Sequence, residues 1–220
     1  MLKIEIFQCN ALQMNCHLLW DEDSKEAFLI DPGFASEWEW RRVADRLQQS
    51  SLTLKAVLLT HNHVDHCMGS GFPVRACQAE IYGSMADQNH LPSVATQASV
   101  FGLGDELHWL PIQHDLHEGD TLKLGDYTME VIDCPGHSHH GLCFYFPQEK
   151  KLFSGDVLFY CSVGRSDFGR PMGGDGPLLV NGIMTKLLTL PADVVVYPGH
   201  GPQTTIGTEA TYNPYLDRGY

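Results

Sequence analysis

Leu59-Thr60-His61-Asn62-His63-Val64-Asp65-His66 is the stretch on which the reading of this chain turns. It closes an unbroken apolar run over residues 56–59, the pattern of a strand covered on both faces. In extended chain, side chains at i and i+2 point the same way, so His61 and His63 are placed to share one metal ion. Asp65 and His66, one turn further on, point elsewhere and are placed to serve a second. A His-x-His-x-Asp-His pattern arises by chance about 0.003 times in a chain of this composition, so a polar turn of solvated histidines competes poorly.

Working outward, three later segments carry the same residue types in the same setting. Asp133-Cys134-Pro135-Gly136-His137 follows a strand expected over residues 127–131, Ser154-Gly155-Asp156 follows one that starts at residue 151, and Tyr197-Pro198-Gly199-His200-Gly201 follows one over residues 194–197. Loops at the strand ends of a layered α/β fold gather along one edge, where ligand sites form. The combined donors are the imidazoles of His61, His63, His66, His137 and His200 and the carboxylates of Asp65 and Asp156. Such a nitrogen and oxygen set suits Zn²⁺, Fe or Mn²⁺ and needs no thiolate.

The remaining chain supports a mixed α/β fold. Residues 2–7 alternate as a half-buried strand, residues 16–20 and 27–30 follow as strands, and Asp31-Pro32-Gly33 makes a turn. Ser36 and Glu39 form a capping box before Trp40, Val43, Ala44 and Leu47, which recur at helical spacing up to about residue 50. Gly125-Asp126 turns a hairpin between residues 121–124 and 127–131, and a second strand pair covers residues 142–146 and 151–154. Short helices are expected over residues 85–90 and 94–101. A late helix is expected to bury Leu179, Ile183, Met184 and Leu187, and residues 194–197 read as the last strand. Strands interleaved with helices imply layers.

The 220 residues fit one domain, with 43% hydrophobic and 19% charged residues, which excludes disordered and fibrous classes. Fourteen basic against 27 acidic residues give a net charge of −13, a field that repels nucleic acid and anionic membranes. No apolar run reaches membrane-spanning length and no export signal opens the chain, so the cytoplasm is the expected location. The seven cysteines form no Cys-x-x-Cys pair and read as reduced thiols.

With these segments in order, the sequence resembles the metallo-β-lactamase-fold hydrolases, and within them the glyoxalase II-like (hydroxyacylglutathione hydrolase-like) branch. The resemblance runs through Ile30-Asp31-Pro32-Gly33, residues 59–66, 134–137 and 154–159, Ser162-Val163-Gly164-Arg165-Ser166-Asp167-Phe168, and residues 197–207 with Asn213-Pro214. It implies a four-layer αββα sandwich with the metal site at one edge of the sheets. By position, His61, His63 and His137 would hold one divalent ion. Asp65, His66 and His200 would hold a second, and Asp156 would bridge the two. Asp31 and Asp167 would orient ligand imidazoles. Zinc is the implied metal, with iron or manganese as alternatives. Two departures stand out. Ser138-His139-His140 replaces the usual residues after the Pro-Gly-His, which makes His139 or His140 an alternative ligand or a substrate contact. The additional C-terminal helical region of the longer enzymes, with its basic glutathione-binding residues, is missing, so residues 1–220 are expected to form a single domain.

The implied chemistry is hydrolysis of a small thioester by a metal-bridging hydroxide, with Asp65 orienting the nucleophile. A thiolate leaving group, with a pKa near 8.5, departs unprotonated and needs no separate acid. A persulfide dioxygenase with one iron, which resembles the Gly164–Phe168 segment, a lactonase or other ester hydrolase, and a non-catalytic metal module are the competing readings. Asp156 separates the chain from the common zinc β-lactamases, which resemble it in fold but place a cysteine there. Arg165 is the candidate contact for an anionic substrate tail, ahead of Arg170 and Lys186. His108, His114 and His117 read as solvated surface residues and Cys67 as a buried spectator. Nothing in the sequence assigns an oligomeric state.

Overall fold

The computed structural model describes residues 1–104 and 107–216. One sheet takes β1 (Leu2–Cys9), β2 (Met14–Asp21), β3 (Glu26–Ile30), β4 (Thr53–Leu58), β5 (Glu80–Gly83) and β6 (His114–Asp115) in sequential order. The other takes β7 (Thr121–Leu124), β8 (Tyr127–Asp133), β9 (Leu142–Phe146) and β10 (Lys151–Gly155), a small β11–β12 hairpin (Leu158–Phe159 and Ser162–Val163) leaves it, and β13 (Val195–Pro198) and β14 (Thr204–Thr205) complete it beside β10. The helices are α1 (Glu37–Gln49), α2 (Val64–Cys67), α3 (Gly71–Cys77), α4 (Met85–His90), α5 (Val94–Phe101), α6 (Gly176–Gly182) and α7 (Ile206–Tyr212).

The period-two geometry of the strands sorts their side chains into three apolar layers. Phe28 and Ile30 of β3 and Ala56 and Leu58 of β4 face Phe144, Phe146 and Phe153 of the second sheet. Their neighbours Ala27, Leu29, Leu54 and Val57 point the other way, onto Trp40, Val43 and Leu47 of α1. On the far side Cys143, Tyr145 and Leu152 pack under Leu179, Val180 and Ile206. The result is the expected αββα sandwich, and the unbroken apolar strands follow from both faces being covered.

Four local expectations change. Phe7 and Cys9, at the end of β1, are buried on the helix side, so the first strand is not half-exposed along its length. Glu39 does not return to the Ser36 amide but accepts the N–H groups of Ala35 at 2.6 Å and Asn10 at 2.8 Å, tying α1 to the β1–β2 turn. After α6 the chain widens, with Leu188 donating to Ile183 O at 2.9 Å, and this turns Met184 out to 49% exposure. The last strand is β14, beyond residues 194–197.

The parallel pairs β3–β4 and β10–β13 send four strand ends to one edge of the sandwich. Cross-links fix the sheets together there. Leu142 donates to Thr60 O at 2.7 Å, and the Asn15 side chain donates to Pro198 O at 3.1 Å and Gly201 O at 2.9 Å.

Candidate metal centre

The seven candidate ligands of the motif segments converge at this edge. Three overlapping groups, His61–His63–His137, His61–His66–Asp156 and Asp65–His66–His200, each bring their ligand atoms within 4.8 Å of one another. Asp156 lies between the two halves: Oδ1 is 3.3 Å from His66 Nε2, and Oδ2 is 3.5 Å from His137 Nε2 and 3.7 Å from His200 Nε2. Glycine permits this approach, since a Cβ at Gly199 would run into Asp156 Oδ1 and the His66 ring.

Each imidazole is held from behind. His61 Nδ1 donates to Thr60 Oγ1 at 3.0 Å, and that hydroxyl donates to Asp31 Oδ2 at 2.7 Å. His66 Nδ1 donates to the same Asp31 oxygen at 2.9 Å. Backbone carbonyls hold the rest: Met172 O takes His63 Nε2 at 3.2 Å, Arg165 O takes His137 Nδ1 at 2.7 Å, and Leu12 O takes His200 Nδ1 at 3.1 Å. With their outer nitrogens committed as donors, the neutral rings of His61, His63 and His137 turn a lone pair inward. His63 Nδ1 and His137 Nε2 stand 2.9 Å apart in this way, two acceptors that repel unless a proton or cation lies between them. His61 Nε2, His66 Nε2 and Asp156 Oδ1 are buried without a hydrogen-bond partner. These orphaned donors fit a binuclear divalent metal site, and it is the outward bonds that preorganise them.

The electrostatics divide in the same way. Burial lowers the pKa of His61 well below its ordinary value and that of His63 to about 4, and it lowers that of His137, so these three rings are neutral. At His66 burial pulls down, but Asp156, Asp65 and Asp31 push its pKa well above the ordinary value. Burial would raise the carboxyl of Asp65, yet His66 and the 3.2 Å hydrogen bond from His200 hold it below the usual range. Asp156 is held low against burial by His66, His137 and His200.

Asp31 reaches His66 and Thr60 from a left-handed backbone conformation (φ 52°) that Asp tolerates better than most residues. Asp167 reaches neither. It lies in solvent, paired with the Arg165 guanidinium at 2.9 and 3.1 Å, and the group behind His137 is the Arg165 carbonyl. The Arg165 side chain, stacked over Phe168 at 4.4 Å, lines the cavity in front of the cluster. His139 and His140 are not in the cluster; their rings lie beside His90, at 5.4 and 6.0 Å. His114 pairs with Glu80, His117 with Asp115, and Lys186 with Glu118.

Positioning residues emerge that the sequence did not flag. Asp87 of α4, fully buried, accepts the amide of Asn62 at 2.8 Å and that of His140 at 2.9 Å, joining the two ligand loops. Gln97 of α5 accepts from Val64 N and donates to Asn62 O. Asn10 donates to Gly33 O and Asp65 O. Residues 9–200 match the metallo-beta-lactamase superfamily. The chain belongs to that superfamily. It is 40% identical to hydroxyacylglutathione hydrolase GloC of Haemophilus influenzae, over 98% of this chain and 99% of that one. Among solved structures it is similar to the BLEG-1 B3 metallo-beta-lactamase (34% identity, TM-score 0.86, 99% and 100% of the two chains). It is also similar to TTHA1623, solved in a di-iron-bound form (36% identity, TM-score 0.81, 96% and 100% of the two chains). Among the described residues, no helix is long and apolar enough to cross a membrane.

Proposed function

We propose that this superfamily member is a thioester hydrolase, hydroxyacylglutathione-like in its chemistry, that works with two divalent cations. His61, His63 and His137 would hold one cation, Asp65, His66 and His200 the other, and Asp156, which lies between the two groups, would serve both. When bound, such ions supply Lewis acidity and a nucleophile from water at neutral pH. The observation that carries the reading is the inward convergence of the donor set at the floor of a cavity of about 340 Å³.

The chain's own residues do the rest. Asp65 reaches the cavity, is kept charged by His66 and His200, and orients the attacking water by accepting its proton in a hydrogen bond. Asp31 and the carbonyls of Met172, Arg165 and Leu12 keep the imidazoles in the tautomer that points a lone pair inward. A thiolate leaves without a proton donor, which suits a cavity lined mainly by rings and carboxylates. The relation to GloC supports the thioester. The likeness to ETHE1 from Myxococcus xanthus (26% identity, TM-score 0.77) is compatible with the single-iron dioxygenase alternative.

Zinc is the proposed cation, with iron the alternative that the likeness to a di-iron protein supports. The seven free cysteines accord with a reducing compartment such as the cytoplasm. The test is elemental analysis of purified protein with a panel of acyl-thioesters, lactones, other esters and a β-lactam, run beside Asp156→Asn. Two metals per chain, thioester turnover and its collapse in the variant are expected. Equal turnover by both proteins would remove the two-cation mechanism, and preference for a lactone or β-lactam would replace the substrate.

A further inference from the structure

The cavity over the metal centre does not end at its own wall. Beyond Phe101 and Phe168 lies a second hollow of about 370 Å³, which shares those two rings and Arg165 with the first. Phe168 stands at the junction. Its ring is 5.8 Å from both His63 and His137 and 6.3 Å from Phe101, edge to face. A substrate whose reacting carbon sits over His63 and His137 therefore has a path across these rings into the outer hollow.

The lining of that hollow is apolar in effect. Pro92, Val100, Phe101, Phe168 and Met172 supply hydrocarbon, ring and thioether surface. Its two neutral polar residues are already engaged. The Gln97 amide is spent on Val64 N, Asn62 O and Pro92 O, and the Thr96 hydroxyl is paired with Ser93 Oγ at 2.8 Å. The one cation, Arg165, is neutralised by its forked bond to Asp167. A polyanionic ligand therefore finds no uncommitted cation among the lining residues, on a chain of net charge −13. An unbranched apolar segment finds surface that water leaves at a gain. Val100, in particular, is 74% exposed, an apolar residue open to solvent at the rim of this hollow.

We propose that the outer hollow is a subsite for an uncharged apolar arm, so that thioesters or esters carrying a medium-length alkyl chain are preferred over their short-chain counterparts. The inference rests on the hydrolase reading for its reaction but not for its binding. Two experiments separate them. In the first, two homologous series are turned over by the metal-loaded protein: alkanoyl chains of increasing length on a small neutral thiol, and acetyl thioesters of alkyl thiols of increasing length. In one of the series kcat/KM is expected to rise about three- to fourfold per added methylene over several carbons, the gain from burying each. Val100→Glu should abolish that rise while leaving the shortest substrate unchanged, because Val100 touches none of the candidate ligands. Turnover that is flat with length in both series overturns the subsite and leaves the hydrolase intact.

In the second, calorimetric titration of the same protein with straight-chain alkanoates from hexanoate to dodecanoate reads binding without turnover. Affinity that climbs with length and is lost in Val100→Glu supports the subsite even if no thioester is hydrolysed. Length-independent affinity overturns it.

Discussion

The two halves of the metal centre are built from different materials. Around His61, His63 and His137 the three rings are neutral, burial having removed their protons, and carbonyl or hydroxyl oxygens stand behind them. Around Asp65, His66 and His200 two carboxylates crowd the rings and Asp31 adds a third behind His66, so His66 and His200 are both pushed towards the protonated form. The first half has lone pairs without charge. The second has charge that a proton partly answers. A cation entering the second half must displace protons, so its affinity should fall more steeply as pH drops.

Asp156 is the one side chain that faces both halves, and removing its charge gives the largest expected effect. Asp156→Asn should cut turnover by far more than the roughly 100-fold that loss of an outer partner costs. It should also lower metal content below two ions per chain, read by elemental analysis. Retention of two ions with undiminished turnover would mean that the halves are independent. Asp31 comes next, because it supports one ring in each half, His66 directly and His61 through Thr60. Asp31→Ala should weaken metal binding about 10- to 100-fold in a competition titration. Asp167→Ala should leave both metal binding and stability essentially unchanged, as the exposed partner of Arg165 should.

Asp87 sharpens the comparison from one side only. Its carboxylate holds the amides of Asn62 and His140, which flank His61, His63 and His137, and among the described residues it accepts no hydrogen bond from Asp65, His66 or His200. Asp87→Ala orphans two N–H groups at a cost of about 1–3 kcal/mol each in unfolding free energy. In a stepwise metal titration it should weaken one binding step and spare the other. Asp87→Asn, which keeps an acceptor oxygen, should recover part of the loss. Equal weakening of both steps would make Asp87 a general stabiliser of the fold.

The ligands were legible in the sequence because metal chemistry restricts them to a few residue types, and four strand ends present those types in recognisable clusters. The supports were not. Asp87 and Gln97 act by accepting backbone amides, a task that leaves no pattern along the chain and depends on α4 and α5 packing beside the ligand loops. The resemblance put Asp167 behind a ligand imidazole, but the Arg165 side chain, two residues away, captures its carboxylate in solvent. Strand alternation predicted which β1 residues face the second sheet but not that α1 would cover Phe7 on the other side. Helical periodicity placed Leu179, Ile183 and Leu187 in the core and failed at Met184, where the widened turn rotates the next position outward.

A buried imidazole outside the cluster provides the cleanest contrast. His17 of β2 is 2% exposed, lies against the rings of Phe153 at 5.3 Å and Tyr197 at 6.1 Å, and has no hydrogen-bond partner at either nitrogen. Burial, with a smaller contribution from the charge of His66, lowers its pKa from 6.5 to about 3. Tyr197, its other titratable neighbour, has a pKa raised by burial and stays neutral throughout this range. The unfolded chain protonates His17 below its ordinary pKa while the folded chain refuses the proton until about pH 3. Stability is therefore complete above the unfolded value and falls with pH between the two, by up to about 1.4 kcal/mol per pH unit from this residue. His17→Leu should remove that slope, so the difference in unfolding free energy between variant and parent should widen steadily as denaturant titrations move from pH 6.5 towards pH 4. A constant difference would mean that His17 is protonated in the folded state and has found a partner, which would put it in the company of His66 instead of apart from it.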